Sequence, residues 1–109
     1  MTYEVNFSPE AEDQLVALYN YIALEATPGI ATRFTESIVA YCEGFSISPH
    51  RGNMRDDIRP GLRVTNYEKR TIIAFIIDVD LVVILGVFYG GQDFETVLSE
   101  TDNAEAKGD

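Results

Sequence analysis

A cluster of basic residues in the middle of the chain has a composition that could support chemistry. Six of the eight lysines and arginines lie between Arg51 and Arg70, together with only three acidic residues. The window therefore carries a formal charge of +3, while the rest of a chain with a total charge of −10 carries −13. Such a cluster is typical either of a solvated mixed-charge surface or of a local site for an anion or an acidic partner. The candidates within it are Arg59, Arg63, Lys69 and Arg70.

One anion that such a cluster could bind is a phosphate group. Cleavage at a phosphate without a metal needs a general base, a general acid and cations for the phosphate. Arg63, Lys69 and Arg70 could bind the phosphate, but no obvious acid and base accompany them. Tyr89, at the end of an apolar run, fits a core or rim aromatic better than a catalytic group, and Gln92 carries no charge.

The bulk composition predicts one ordinary globular domain. The chain has 109 residues, of which 46% are apolar and 11% aromatic, so it is long enough for a single hydrophobic core. A single cysteine excludes an internal disulfide and a Cys/His metal cluster. The N-terminus lacks a secretory signal pattern, which favours the cytoplasm, and a charge of −10 argues against a general nucleic-acid binder. No cofactor is indicated.

The elements that would position the candidates are organised around the apolar stretch Thr71–Gly91. It contains two runs rich in Val, Ile and Phe, Thr71–Ile77 and Leu81–Tyr89, separated by Asp78-Val79-Asp80. These residue types favour buried strands, and the short acidic break predicts a hairpin turn. Because two aspartates interrupt the stretch, it is not a membrane span.

Both faces of this hairpin are apolar, whereas a sheet with one solvated face should alternate apolar and polar residues. The first strand has Ile72, Ala74 and Ile76 on one side and Ile73, Phe75 and Ile77 on the other. By the same alternation, the second strand has Val82, Ile84 and Phe88 on one side and Val83, Leu85, Val87 and Tyr89 on the other.

Two helices precede the hairpin. After a short strand at Tyr3–Phe7, Ser8-Pro9 and Thr27-Pro28 each combine a helix-capping side chain with a proline suited to the first helical position. The first helix should end near Ala26, and the two should form an antiparallel helical hairpin. Their apolar stripes are Ala11, Leu15, Leu18 and Ile22 in the first, and Ile30, Phe34, Ile38, Tyr41, Cys42 and Phe45 in the second. Cys42 should therefore be a buried, inert thiol.

The remaining segments complete a β-α-α-β-β-β order and an α+β fold with a small antiparallel sheet. Ser46–Gly61 should be irregular, Leu62–Tyr67 a strand, and the stretch up to Leu98 a short terminal helix. Residues 1–99 would form the domain, and residues 100–109 a disordered acidic tail. Helices joined by a short turn should share one face of the sheet. The other face of the hairpin would then be exposed and apolar, as a surface for a partner protein.

With this order assembled, the chain resembles toxins of the ParE/RelE superfamily, and most closely the ParE type. The resemblance runs from Phe7 to Leu98. It is carried by the following segments in order: FSPEAEDQL, YNYIALEATPGIATRF, SPHRGNMRDDIRPGLR, RTIIAF and VVILGVFYGGQDFE. It implies a sheet packed against a helical hairpin and the toxin half of a type II toxin–antitoxin pair. A cognate antitoxin would neutralise the toxin by laying an extended, partly helical segment along its surface.

The resemblance also offers two activities. ParE-type toxins are associated with poisoning DNA gyrase, and RelE-type toxins are ribosome-dependent messenger-RNA endoribonucleases. RelE-like toxins have an arginine at the position of Gln92 and a tyrosine in the terminal helix, whereas Phe94–Leu98 contains no tyrosine. This difference disfavours the ribonuclease. We therefore expect a non-enzymatic toxin that contacts its partners through Arg59, Arg63, Lys69, Arg70, Tyr89 and Gln92. The alternatives are a ribonuclease, or an attenuated member that only binds its antitoxin.

Overall fold

A computed structural model of the chain describes residues 2–68 and 70–99. Lys69 and the predicted acidic tail, residues 100–109, lie outside the described residues. In chain order the elements are β1 (Glu4–Phe7), α1 (Pro9–Glu25), α2 (Pro28–Glu43), a 3-10 turn (Gly44–Ser46), β2 (Asn53–Met54), β3 (Arg63–Tyr67), β4 (Thr71–Asp78) and β5 (Leu81–Tyr89). A terminal helix occupies residues 94–99. No helix in the described ranges is long and apolar enough to cross a membrane.

Both helix starts have the predicted caps. The Ser8 hydroxyl accepts a hydrogen bond from the Ala11 amide at 3.1 Å, and the Thr27 hydroxyl accepts one from the Ile30 amide at 3.1 Å. Each bond satisfies an amide that has no partner within its own helix. The prolines that follow remove a further free N–H group. These local signals explain why the helical hairpin was predictable.

The sheet has five strands in the order β1-β5-β4-β3-β2. β1 runs parallel to β5, and every other neighbouring pair is antiparallel. The predicted hairpin is confirmed, with its turn at Val79 and Asp80 between the paired residues Asp78 and Leu81. The segment predicted to be irregular contains β2, whose two residues pair with β3. No apolar alternation marks so short a strand.

The main core lies between the helical hairpin and one face of the sheet. Its buried members come from both helices, the 3-10 turn and both strands of the hairpin: Ala11, Leu18, Ile38, Cys42, Phe45, Ile73, Phe75, Val82, Ile84 and Val87. Leu15, Ile22, Phe34 and Tyr41 pack against it, as their stripes predicted. The prediction for Ile30 was wrong, since this residue in the first turn of α2 is 43% exposed.

Burial of Cys42 gives the first testable prediction. The side chain is fully buried, and burial together with the nearby Glu43 raises the pKa of the thiol to about 12. Because only the thiolate is nucleophilic, the folded chain should not react with iodoacetamide at pH 8, and the unfolded chain should. Mass spectrometry of the alkylated protein, with and without guanidinium, measures this. Rapid alkylation of the folded chain would contradict the burial.

The second face of the sheet is covered by the chain itself, so the prediction of an exposed apolar face was wrong. Leu62, Ala74, Phe88 and Leu98 are buried together in a second core. Around them pack partly buried apolar side chains, namely Ile58, Val64, Ile72, Ile76, Leu85 and Phe94. The cover comes from the loop of residues 55–62 and from the terminal helix. Sequence patterning missed it because the loop has no regular apolar period.

Arg55 holds these two covering segments together. Its guanidinium donates hydrogen bonds to both carboxylate oxygens of Asp57, at 2.9 Å each, and it also pairs with Glu95 of the terminal helix. The Arg55 guanidinium lies 6.0 Å from the Phe94 ring centroid. The hydrogen bonds that Arg55 donates, together with its charge, lower the pKa of the Asp57 carboxyl. Arg55 therefore has a structural role, unlike the cations considered below.

An irregularity in β5 corrects the predicted faces of that strand. Ala74 pairs with Gly86, but the next residue of β4, Phe75, pairs with Ile84, which leaves Leu85 without an opposite residue. Such a bulge shifts the alternation by one position. Val82 and Ile84 therefore share the helix-facing core with Val87, whereas Phe88 joins the second core. The predicted grouping of Phe88 with Val82 and Ile84 was wrong for this reason.

Gly86, beside the bulge, gives a second prediction. A Cβ atom at this position would lie 2.5 Å from the Phe88 ring and 3.3 Å from the Gln14 side-chain oxygen. Gly86→Ala should therefore lower the free energy of unfolding by about 1–3 kcal/mol, the usual range for overpacking. Urea denaturation measures the change. Gly44→Ala is the control because a Cβ there meets no atom within 4 Å. Equal stability of both variants would refute the close packing.

Candidate partner-binding site

Three of the predicted site residues meet in a cleft between α1 and the end of β5. This cleft, called the α1–β5 cleft below, has a volume of about 340 Å³. Its lining residues are Gln14, Ala17, Leu18, Tyr21, Arg70, Val87, Tyr89, Gly90 and Gln92. Arg70 is brought to the end of β5 because the Gly90 amide donates a hydrogen bond to its carbonyl oxygen at 2.8 Å.

Tyr89 forms the aromatic centre of this region. Its ring lies 5.7 Å from that of Phe34 on α2 and 6.3 Å from that of Tyr21 on α1. The Arg70 guanidinium is placed 5.6 Å from the centre of the same ring, within the range of a cation–π interaction. Tyr89 packs against the main core and is only partly buried. It is therefore both a rim aromatic, as the sequence indicated, and a wall of the site.

Arg70 also faces a second cleft, on the α2 side of Tyr89. This cleft has a volume of about 300 Å³ and is lined by Phe34, Ser37, Glu68, Arg70 and Tyr89. Arg70 is exposed and, unlike Arg55, forms no salt bridge with a described residue. An exposed cation held over an aromatic ring is suited to bind an acidic group of another molecule.

Gln92 accepts a hydrogen bond instead of presenting a charge. Its side-chain oxygen accepts the Tyr89 amide at 2.8 Å, and the side-chain oxygen of Gln14 accepts the Val87 amide at 2.6 Å. Sequence reasoning missed Gln14. The available signal was its spacing, three residues after Ala11 and four before Leu18, which places a polar side chain on the buried side of α1. Just after Gln92, the Asp93 carboxylate accepts the Thr96 amide at 3.1 Å and begins the terminal helix.

Arg63 does not join this site. Arg63 is the first residue of β3. The last residue of this strand, Tyr67, pairs with Thr71, which in turn pairs with Tyr89 at the end of β5. Because Arg63 lies four residues before Tyr67, the Cα atoms of the two residues are about 13 Å apart along the strand. There its guanidinium donates to the carbonyl oxygen of Arg51 at 3.3 Å. The predicted basic cluster is therefore divided between two places.

A second group of aromatic and basic residues surrounds Arg51, which was not among the predicted site residues. The Arg51 guanidinium lies 5.5 Å from the Tyr41 ring and 5.4 Å from the Phe45 ring. Tyr41 also contacts the Tyr67 ring, with 4.6 Å between the centroids. Arg59 lies in neither group, because it belongs to the loop over the second core and its amide donates to Arg55. Lys69 is outside the described residues.

A metal centre is not part of either group. Over residues 2–68 and 70–99 there is no cluster of three or more His, Cys, Asp or Glu side chains able to hold a metal ion. His50 is exposed, with its ring 6.1 Å from that of Tyr3. The two groups thus offer arginine and aromatic side chains, which are the types that dominate protein–protein binding energy.

Comparison with known protein families identifies the family of this chain. Residues 5–94 match the sequence model of a family described as the ParE toxin of type II toxin–antitoxin systems, parDE. The chain belongs to the ParE toxin family. A search of curated protein sequences gave no match.

Solved structures support the fold of this ParE-family chain. It is similar to a chain of the chromosomal ParDE toxin–antitoxin system from P. aeruginosa, with a TM-score of 0.71 and 19% identity over 81% of this chain and 96% of that one. It is also similar to a chain of the RelBE2 toxin–antitoxin complex from Mycobacterium tuberculosis, with a TM-score of 0.62 and 21% identity over 84% of this chain and 95% of that one. The α+β fold expected from the resemblance is confirmed.

Within this ParE-family fold, the bulge in β5 is what places Tyr89 in the site. It returns Val87 and Tyr89 to the helix side of the sheet after Val82 and Ile84. Without the shift, alternation would direct Tyr89 to the second core, away from α1. The position of this tyrosine therefore depends on one unpaired residue, Leu85, inside an otherwise regular strand.

Proposed function

We propose that this ParE toxin is the active half of a type II pair, that a cognate antitoxin neutralises it, and that it poisons DNA gyrase by binding to it. The observation that carries the proposal is the pairing of exposed Arg70 with the Tyr89 ring between two clefts. Arginine and tyrosine anchors in a desolvated pocket are the usual centres of protein–protein interfaces. Arg70, Tyr89 and Gln92 are the proposed contacts, and Arg59, Arg63 and Lys69 are secondary candidates.

Charge supports a protein target over a nucleic acid. The chain has a net charge of −10, so DNA and RNA would repel it at long range. Contact with an enzyme that itself holds the DNA avoids this repulsion. The similar structures belong to a ParDE toxin–antitoxin system and a RelBE2 toxin–antitoxin complex, which supports an antitoxin as the first partner.

The side chains at the α1–β5 cleft also favour binding over phosphodiester cleavage. Gln92 has no ionisable proton, and its oxygen is engaged by the Tyr89 amide. The terminal helix has no tyrosine among residues 94–99. General acid–base catalysis needs groups that exchange protons near neutral pH. An arginine and an amide do not supply such a pair.

The test is induction of this chain alone in a bacterial host, with DNA breaks and messenger-RNA cleavage measured separately within minutes. We expect broken DNA, intact transcripts and arrested growth. Co-expression of the protein encoded by the adjacent reading frame should restore growth. Normal growth despite confirmed soluble toxin would refute the proposal.

Cut transcripts with intact DNA would instead favour the ribonuclease. The specific observation in favour of that second candidate is the Arg51 group, in which Arg63 donates to the Arg51 carbonyl oxygen, the Arg51 guanidinium contacts the Tyr41 ring, and Tyr41 contacts Tyr67. In that case Arg63→Ala should abolish transcript cleavage, and Arg70→Ala should leave it unchanged. Under the gyrase proposal, Arg70→Ala should suppress the growth arrest more strongly than Arg63→Ala does.

A further inference from the structure

The end of β5 has two possible registers against β4. In the bulged register, which the structure shows, Ile73 pairs with Val87 and Thr71 pairs with Tyr89. In the regular register, the pairing of the hairpin turn would continue without the bulge, and Ile73 would pair with Gly86 instead. Such a slip turns every side chain beyond the bulge to the other face of the sheet. The Tyr89 ring therefore stands in the candidate site in only one of the two registers.

Ser8 binds the bulge through two carbonyl groups. Its amide donates to the Ile84 carbonyl oxygen at 2.9 Å, and its hydroxyl donates to the Leu85 carbonyl oxygen at 3.3 Å. In a regular strand, the carbonyl groups of consecutive residues point to opposite edges. One residue beside the strand would then reach only one of them. The pair of bonds from Ser8 is therefore specific to the bulged register.

Gln14 binds the same register two residues further along β5. Its side-chain oxygen accepts the Val87 amide at 2.6 Å. In the described part of the chain, no strand covers this edge of β5, since β1 pairs with it only over Leu81–Ile84. In the regular register, the Val87 amide would point to β4, and the Gln14 oxygen would lose its donor. Gln14 thus accepts this amide in the bulged register alone.

The neighbours of Gln14 are matched to this contact. A Cβ atom on Gly86 would lie 3.3 Å from the Gln14 oxygen, so the glycine leaves room for the amide group. Val87 is 3% exposed, and a buried amide without an acceptor is costly. Gln92 accepts the Tyr89 amide at 2.8 Å and favours the same register, but it is exposed, whereas Gln14 is half-buried between α1 and β5.

We propose that Gln14 is a positioning residue, which selects the bulged register of β5 and thereby holds the Tyr89 ring beside Arg70 on the helix side of the sheet. Gln14 acts through the backbone of β5, so this role needs no contact between its side chain and the target. The importance of the register for growth arrest rests on the proposed function. The register itself is a property of the toxin alone.

Two substitutions separate the acceptor from the rest of the side chain. Gln14→Met keeps the length but leaves the Val87 amide without a partner in the bulged register. The ratio of regular to bulged chains should rise about 10- to 100-fold, the equivalent of one unsatisfied buried amide. Gln14→Glu keeps an acceptor oxygen and should retain the bulged register. Asn20→Met, at an exposed position of α1, is the matched control.

NMR of the full-length toxin alone measures the register through nuclear Overhauser effects (NOEs) between the Hα protons of paired residues. We expect a cross-strand NOE between Ile73 and Val87 in the wild type, Asn20→Met and Gln14→Glu. In Gln14→Met it should give way to an NOE between Ile73 and Gly86. An unchanged pattern in Gln14→Met, even with a lower melting temperature, overturns the inference, because Gln14 is then only structural. So does loss of the wild-type pattern in Gln14→Glu.

A Gln14→Met variant that does not fold leaves a second measurement, amide hydrogen exchange of Val87 in the wild type and Gln14→Glu. Slow exchange in both supports the acceptor role, and exchange at the rate of an unprotected amide in either overturns it.

Binding to immobilised gyrase connects the register to function. Gln14→Met should bind about tenfold more weakly than the wild type, and Asn20→Met should bind equally well. Wild-type affinity in a Gln14→Met chain whose register has changed overturns the positioning role and leaves the proposed function standing. If the wild type itself does not bind gyrase, the proposed target is wrong, and the NOEs alone decide the inference.

Discussion

Arg70→Ala is expected to weaken target binding about 30-fold and to suppress the growth arrest that is proposed for the chain. The magnitude is that of truncating an arginine at the centre of an interface, about 2 kcal/mol. The reason is the placement of this cation over the Tyr89 ring, between two clefts. The measurement is binding of the purified variants to immobilised gyrase, together with growth after graded induction.

Arg33→Ala is the matched control, since Arg33 is an exposed arginine of α2 that lines neither cleft. It should bind and arrest growth as the wild type does. Because Arg70 is exposed, its replacement should leave the circular dichroism spectrum and the melting temperature nearly unchanged. If Arg70→Ala arrests growth as strongly as Arg33→Ala, the proposed contact site is wrong.

Phe88→Ala is expected to lower the free energy of unfolding by about 3–5 kcal/mol, the range for deleting a buried aromatic side chain. Phe88 is only 3% exposed, belongs to the second core, and lies 6.0 Å from the Phe94 ring. A loss of this size removes a large part of the stability of a small domain. Equilibrium urea unfolding, monitored by tyrosine fluorescence, gives the value.

The comparison for this variant is Leu24→Ala, at a position that is 86% exposed. Its effect should stay within about 0.5 kcal/mol, as for ordinary surface changes. The contrast tests the cover of the second face by residues 55–62 and 94–99. If that face were open, as the sequence pattern predicted, Phe88→Ala would cost little more than Leu24→Ala.

Local signals in the sequence predicted most of the fold. Ser8 and Thr27 each accept a hydrogen bond from the amide three residues later, and the turn at Val79 and Asp80 connects adjacent strands. Features of this kind depend on neighbouring residues, so a single chain displays them directly. The apolar faces of the helices followed from the same short-range periodicity.

The remaining features depend on residues far apart in the chain. The cover of the second face is built from Leu62 and Leu98, which flank the hairpin in sequence but show no shared period. The bulge at Leu85 reverses the alternation without any glycine in a left-handed conformation to mark it. Both errors came from treating each strand as regular and each loop as solvated.

The structure brings together only some of the predicted site residues. Arg70, Tyr89 and Gln92 line one cleft, and their role as contacts stays a prediction. Arg63 was grouped with them by sequence proximity, although the strand carries it to the Arg51 group. The acceptor role of Gln14 was hidden, because only the packing of α1 against β5 brings its side-chain oxygen to the Val87 amide.

The parallel pairing of β1 with β5 also has a consequence for the time at which the toxin becomes competent. The contact between Ser8 and Leu85 spans 77 residues, so β1 leaves the ribosome long before its partner. At about 5–20 residues per second, this interval lasts roughly 4–15 s. Tyr89 and the rest of β5 are synthesised only at the end of this interval. Synthesis itself therefore imposes a delay of seconds before a binding-competent toxin exists.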